Sequence, residues 1–228
     1  MLTAGSPARI PTKIIRRCWP VTSLIPGPML ESTGSPDHRT KDCGPVITVT
    51  IRFGRGGVGL ISGTSRIMSV MKALELIGQL SLLPHPEGGW YREVYRSRER
   101  VQTRRGLRSA LTTIHYLLEQ QQLSRWHVVE SAEIWHFYDG APLELFEYVP
   151  ATRHLTRHLL GGVPDGNESV VVIEAGVWQA ARSRGDFSLV GCTVGPGFEF
   201  EDFRFVTALS DHEAHFTGGE LEELAHLL

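Results

Sequence analysis

The stretch "SRWHVVESAEIWHFYDG", residues 124–140, places two histidines, two glutamates and two tryptophans within seventeen positions. Imidazole is the side chain whose ordinary pKa lies nearest neutrality, so His127 or His136 can serve as a general base at physiological pH. A carboxyl held inside a fold is costly unless it is paired or used, which draws attention to Glu133. Alternation along an extended chain decides which of these residues share a face. It puts Arg125, His127 and Val129 on one side, with Trp126 and Val128 on the other. In the next segment Glu133, Trp135 and Phe137 share a face, and Ile134, His136 and Tyr138 share the opposite one. Glu133 and His136 therefore point apart unless a bulge intervenes. His136 is expected to face outward.

The elements that must position these residues are strands. From Trp90 onward the pattern has period two, with short apolar runs. Expected strands cover 90–96, 109–118, 124–130, 133–139, 143–149, 154–160, 169–174, 177–182, 187–194 and 202–206. Turn signals such as "DGAP", "GGVPDGNE" and "SRGD" separate them. The two segments of the opening stretch are expected to pair as a hairpin. Many short strands in succession imply an all-β sandwich or barrel rather than βαβ units. A helix is expected in "VMKALELIGQL", carried by Val70, Leu74 and Ile77 and stopped before Pro84. A second short helix is expected in "GGELEELAHLL", with Leu221, Leu224 and Leu228 on one side.

Charge divides the chain. Overall it is −2, but residues 1–67 hold nine Lys/Arg against three Asp/Glu, and residues 68–228 hold fourteen against twenty-two. The first segment also holds seven of the thirteen prolines and nine of the twenty-four glycines. Residues 1–67 therefore read as a disordered extension, or as upstream sequence translated from a start codon assigned too early; Met68 and Met71 stand where order begins. Residues 68–228 read as one domain. Its acidic balance argues against a nucleic-acid partner, and no apolar run is long enough to span a membrane. Cys18 and Cys43 lie in the extension and match no zinc spacing. Cys192 is alone in the body, where it reads as a small buried filler, so the domain needs no disulfide and is read as cytoplasmic.

Several segments, in order, resemble one branch of the cupin superfamily, the cupin-like family DUF985. They are "LPHPEGGWYREVYRS" (83–97), "SRWHVVESAEIWHFYDG" (124–140), "VWQAAR" (177–182) and "LVGCTVGPGFEFEDF" (189–203). The resemblance implies a cupin-type double-stranded β-helix, or jelly-roll barrel, flanked by short helices, with a small-molecule pocket in the barrel. It implies a homodimer, because closing exposed edge strands against a twin protects them. Metal-binding cupins usually present His-x-His, a Glu and a later His. Residue by residue, His127 takes the first His position and Glu133 the Glu position, while Val129 and Gln179 stand where the other two imidazoles would be. No cofactor follows from so poor a set; a divalent metal, if held, would fall to His127, Glu133 and Gln179.

The resemblance also implies chemistry. Sugar-nucleotide epimerases of this fold work without metal, a His abstracting a proton beside a carbonyl and a Tyr returning it. By that pattern His127 is the base, with Glu133 fixing its tautomer. Tyr91, Tyr95, Tyr116 and Tyr138 are the candidate acids by residue type. Gln179, Trp135, Phe137, Tyr91 and Arg92 are the expected ligand-binding residues, for a small molecule such as a sugar or sugar nucleotide. His85 and Glu87 precede Gly88 and Gly89, which permit tight backbone geometry. Histidines 154, 158, 212, 215 and 226 show no partner spacing. A metal-dependent oxygenase or isomerase, and a non-catalytic binding or regulatory module, are the rival readings.

Overall fold

Apolar spacing before Pro84 produces a helix, and alternation after Trp90 produces strands. The structure, a computed structural model, describes residues 48–53, 57–62, 64–210, 212–218 and 220–228, with side chains from residue 66 onward. Cys18, Cys43 and most of the expected extension lie outside the described residues. Strands β1 (Thr48–Phe53) and β2 (Gly57–Ser62) pair antiparallel, and helix α1 (Thr64–Gln79) follows. Its inward stripe is Ala73, Leu76 and Ile77, packed with Leu80 against Leu82, Leu117, Phe187 and Leu189. Leu74, expected on that stripe, is exposed. The helix ends where Ser81 takes a left-handed φ of 52°, which releases the chain into β3 (Leu83–Pro84).

The body is antiparallel throughout its strand ladders. After β4 (Trp90–Arg96) come β5 (Arg100–Thr103) and β6 (Gly106–Ser109), a hairpin that the alternation did not reveal. The strand expected over 109–118 is thus two elements, β6 and β7 (Thr112–Glu119). Then follow β8 (Leu123–Val129), β9 (Ala132–Gly140), β10 (Leu143–Val149), β11 (His154–Leu160), β12 (Val170–Ile173), β13 (Trp178–Ser183), β14 (Phe187–Gly195) and β15 (Phe203–Phe205). Short helices α2 (His212–His215) and α3 (Glu220–Glu223) close the chain.

Two sheets carry the domain, ordered β11-β10-β13-β8-β15 and β12-β9-β14-β7-β4-β3. The fold is the all-β jelly-roll barrel with flanking helices. Strands β8 and β9 are not a hairpin: β8 pairs with β13 and β15, and β9 pairs with β12 and β14. The link at Glu130–Ser131 carries the chain from one sheet to the other. Alternation fixes which face a side chain takes but not which sheet its strand joins. Side chains of β8 and β9 that point inward therefore meet across the barrel instead of lying side by side.

The inner faces enclose Tyr116, Leu118, Trp135, Leu143, Val190 and Cys192. A second apolar layer lies behind the five-stranded sheet, where Trp126, Phe146 and Trp178 are covered by Phe216, Leu221 and Leu224. The Trp126 indole N–H donates to the Leu224 carbonyl at 3.2 Å, which ties the C-terminal segment to β8. Among the described residues no helix is long and apolar enough to cross a membrane.

Candidate functional site

The "HPEGG" loop shapes one wall of the site. Gly88 has φ 117° and Gly89 has φ 72°, conformations that side chains rarely adopt. A Cβ on Gly88 would lie 2.0 Å from the Leu123 carbonyl oxygen, and one on Gly89 would lie 2.7 Å from that of Leu117. Only glycine lets the loop lie this close to β7 and β8. The loop is fastened by Arg125, whose guanidinium donates to the Pro86 carbonyl at 2.8 Å, and by the Tyr116 hydroxyl, which donates to the Gly88 carbonyl at 2.8 Å. Glu87 is thereby turned inward and buried.

His127 stands opposite, in the middle of β8. Its Nδ1 is 2.7 Å from the Arg125 carbonyl oxygen and 3.1 Å from Glu87 Oε2. A carbonyl only accepts, so the neutral ring keeps its proton on Nδ1. Nε2 then carries the lone pair, and it has no hydrogen bond among the described residues. The ring stacks on Phe203, with centroids 5.2 Å apart. The tautomer is set by the Arg125 carbonyl and Glu87, not by Glu133 as expected. Burial holds the imidazole below the ordinary histidine range, opposed by the Glu133 carboxylate and the Arg125 carbonyl.

Glu133 reaches the same cleft from the other sheet. Its Oε2 accepts from the Gln179 side-chain amide at 2.6 Å, and the Gln179 amide oxygen accepts from the Trp135 indole at 3.0 Å. Burial pushes the Glu133 carboxyl upward, with His127 opposing and Glu87 reinforcing. Burial likewise raises Glu87, against the pull of His85. Cys192 lines the cleft, and burial pushes its thiol well above the ordinary range. His85 lies 3.6 Å from Glu87 Oε1, packs edge-on to Tyr91 at 4.5 Å, and is lowered chiefly by burial.

The cleft encloses about 740 Å³, its open mouth included, and Phe198, Phe200 and Phe203 form one lip. That lip is held by Arg96, which donates to Glu199 at 2.7 Å and to the Phe198 carbonyl at 3.1 Å. Arg108 grips Asp202 with two hydrogen bonds, of 2.7 and 3.1 Å.

The structure thus brings together His127, Glu133 and Tyr91 of the expected residues. Gln179 and Trp135 lie behind Glu133 and position it. Phe137 packs on the core cluster and does not line the cleft. Arg92 is exposed and donates to the Leu80 carbonyl, because alternation along β4 turns Tyr91 inward and its neighbour outward. His136 is turned away from the barrel interior, as expected. Of the candidate acids, Tyr95 and Tyr138 are exposed and the Tyr116 hydroxyl is committed to Gly88. Residues not placed in the site from sequence are His85, Glu87, Arg96 and the phenylalanine lip. The doubled glycine after Glu87 was the available signal for that wall.

The donor set expected from the sequence, His127, Glu133 and Gln179, does not fit a metal ion. Both ends of the Gln179 amide are spent on protein partners, and Val129 supplies no donor. Among the described residues no group of three His, Cys, Asp or Glu side chains is arranged to hold one.

The family described as Cupin superfamily (DUF985) matches residues 74–206, more than half of the chain. The chain belongs to the cupin superfamily. A hypothetical protein from Leishmania major shares 30% identity with this cupin, over 66% of this chain and 97% of its own, with a TM-score of 0.59. A protein from Shewanella oneidensis shares 31% identity over 66% of this chain and 94% of its own, with a TM-score of 0.56. No curated protein matches the chain at a significant level. A cupin barrel hosts many chemistries, so membership gives the scaffold and the cleft gives the argument for function.

Proposed function

We propose that this cupin binds a small hydroxylated carbonyl compound in the cleft and moves a proton on the carbon beside the carbonyl, as an epimerase or isomerase that needs no metal. One observation carries the reading. His127 has one nitrogen locked on the Arg125 carbonyl and the other unpartnered, in a cleft shared with a carboxyl whose acid form is favoured by burial. Groups whose environments push a base down and an acid up are suited to these opposite roles.

In the proposed step Nε2 of His127 takes the proton. The C–H bond breaks, an N–H bond forms, and the electron pair moves onto the carbonyl oxygen. Glu133, held by Gln179, donates a hydrogen bond to that oxygen as charge develops. Tyr91 is the tyrosine on the cleft wall and returns a proton to carbon as the electron pair comes back. Depressed basicity keeps His127 unprotonated at neutral pH, which a base requires.

The test uses chelator-treated protein incubated in deuterium oxide with a panel of neutral aldoses and ketoses. Mass spectrometry reads deuterium at carbon. Incorporation should occur with the natural chain and fall about a hundredfold or more in His127→Gln, the range for a general base. Exchange that is unchanged in His127→Gln, or that appears only with added divalent metal, would refute the reading. Saturable binding without exchange would place the protein among non-catalytic binding modules instead.

A further inference from the structure

The charges on the cleft wall point to the kind of ligand it takes. Arg96 is the one Lys or Arg among the residues that line it. Its Nε donates to Glu93 at 3.1 Å, its Nη1 to Glu199 at 2.7 Å, and its Nη2 to Glu93 at 2.8 Å and to the Phe198 carbonyl at 3.1 Å. Four of the five N–H groups of a guanidinium are therefore engaged. A carboxylate or phosphate is normally held by a fork of free Arg donors. Here it would have to displace Glu93 or Glu199, and it would then face Glu87 and Glu133 deeper in the cleft.

Nor does the rest of the cleft supply positive charge. Glu93 and Glu199 share the single Arg96, so the mouth holds two carboxylates to one guanidinium. Burial raises Glu87 and Glu133 and lowers His85 and His127, so none of these four groups supplies the positive charge that an anion would need. What remains is a set of hydrogen-bonding groups that donate and accept, between apolar and aromatic walls such as Tyr91, Ile114 and Phe203. Hydroxyls satisfy such carboxyls and imidazoles, and C–H faces pack on rings.

We propose that the ligand of this cleft carries no negative charge, a free sugar or similar hydroxycarbonyl compound, and neither a carboxylate nor a phosphorylated sugar. This rests on reading the cleft as a small-molecule site. Arg96 serves to hold the phenylalanine lip and does not receive an anion.

Cys192 is a built-in reporter, because it lines the cleft and is the cysteine among the described residues. Cys18 and Cys43 are first replaced by Ser. Cys192 is then reacted with three methanethiosulfonates, a neutral methyl, a cationic trimethylammonioethyl and an anionic sulfonatoethyl reagent. Each rate is divided by that reagent's rate with a small free thiol. Fields in clefts change local concentrations by about tenfold or more. The anionic reagent should be about tenfold slower than the neutral one, and the cationic reagent no slower than it. Glu93→Gln with Glu199→Gln frees Arg96 and should raise the relative anionic rate about fivefold. An anionic rate within about threefold of the neutral rate, or above it, overturns the proposal. A cationic rate below the anionic rate also overturns it. Either result leaves proton transfer at His127 standing, since deuterium exchange reads that separately. No reaction at Cys192, nor at a second reporter Val129→Cys, overturns both readings, because the cleft would then admit no small molecule.

Discussion

Replacing Gln179 by Met tests how Glu133 is held. Gln179 is 1% exposed and bridges two buried groups, accepting from the Trp135 indole and donating to Glu133. Met has a similar length and shape but neither donor nor strong acceptor. The Trp135 N–H is left without its acceptor inside the barrel, which costs about 1–3 kcal/mol. Glu133 loses a hydrogen bond to a group that carries charge when ionised, about 1.5–3 kcal/mol. The thioether chain recovers about 1 kcal/mol of apolar burial. The net loss is about 1.5–5 kcal/mol, or about 3–20 °C in Tm at about 2–4 °C per kcal/mol for a domain of this size. Urea titration of wild type, Gln179→Met, Trp135→Phe and the double variant gives the free energies and the coupling between positions 135 and 179. An unchanged m-value shows that stability, not compactness, has moved. The coupling should be about 1 kcal/mol or more. A loss below about 0.5 kcal/mol with no coupling would refute the bridge, and with it the argument that Gln179 is unavailable to a metal.

His127 should titrate below the ordinary value of about 6.5 by NMR, because burial disfavours the imidazolium. The folded state then binds fewer protons than the unfolded one below about 6.5, so this group's contribution to stability is present above that pH and is lost as pH falls through the folded pKa; a titration above 7 would contradict the buried placement. A chain beginning at Thr64 should melt within about 3 °C of the full chain by calorimetry, whereas a drop above about 5 °C would show that the preceding residues pack on the barrel. One beginning at Met68 also loses the bonds of Arg66 to Gln120 and Asp186, exposed contacts worth under about 1 kcal/mol. Light scattering at tens of micromolar should report a homodimer, since Val94, Tyr138, Val170 and Val172 are exposed on the six-stranded sheet, and Val170→Lys with Val172→Lys should shift it to monomer; a monomeric parent chain would remove that proposal.

Much of the scaffold was legible because it depends on local periodicity. The pleat alone puts His127 on the face of Val129 and Glu133 on the face of Trp135, and the barrel keeps both assignments. The same rule applied to β4 already separates Tyr91 from Arg92, so Arg92 could have been set aside from sequence. The strand limits of β4, β10 and β11 agree with the alternation, because turn residues bound them on both sides. Local pattern missed the β5–β6 hairpin, where exposed arginines hide the alternation.

Contacts between distant segments were decided only by the tertiary structure. Whether β8 and β9 pair or part depends on which strands compete for their edges, and β13 and β14 win those positions. Gln179 reaches Glu133 across 46 residues, and Arg96 reaches Glu199 across 103. A glutamine in place of an expected imidazole showed that a ligand was missing, but not that its amide would be occupied by Trp135 and Glu133. Glu87 became a partner of His127 only when a glycine loop was pressed onto β8. Side-chain types and faces follow from the nearest few residues, so the sequence carries them. The protonation, the charge pairing and the size of the cleft follow from what burial brings together, and that is a property of the closed barrel.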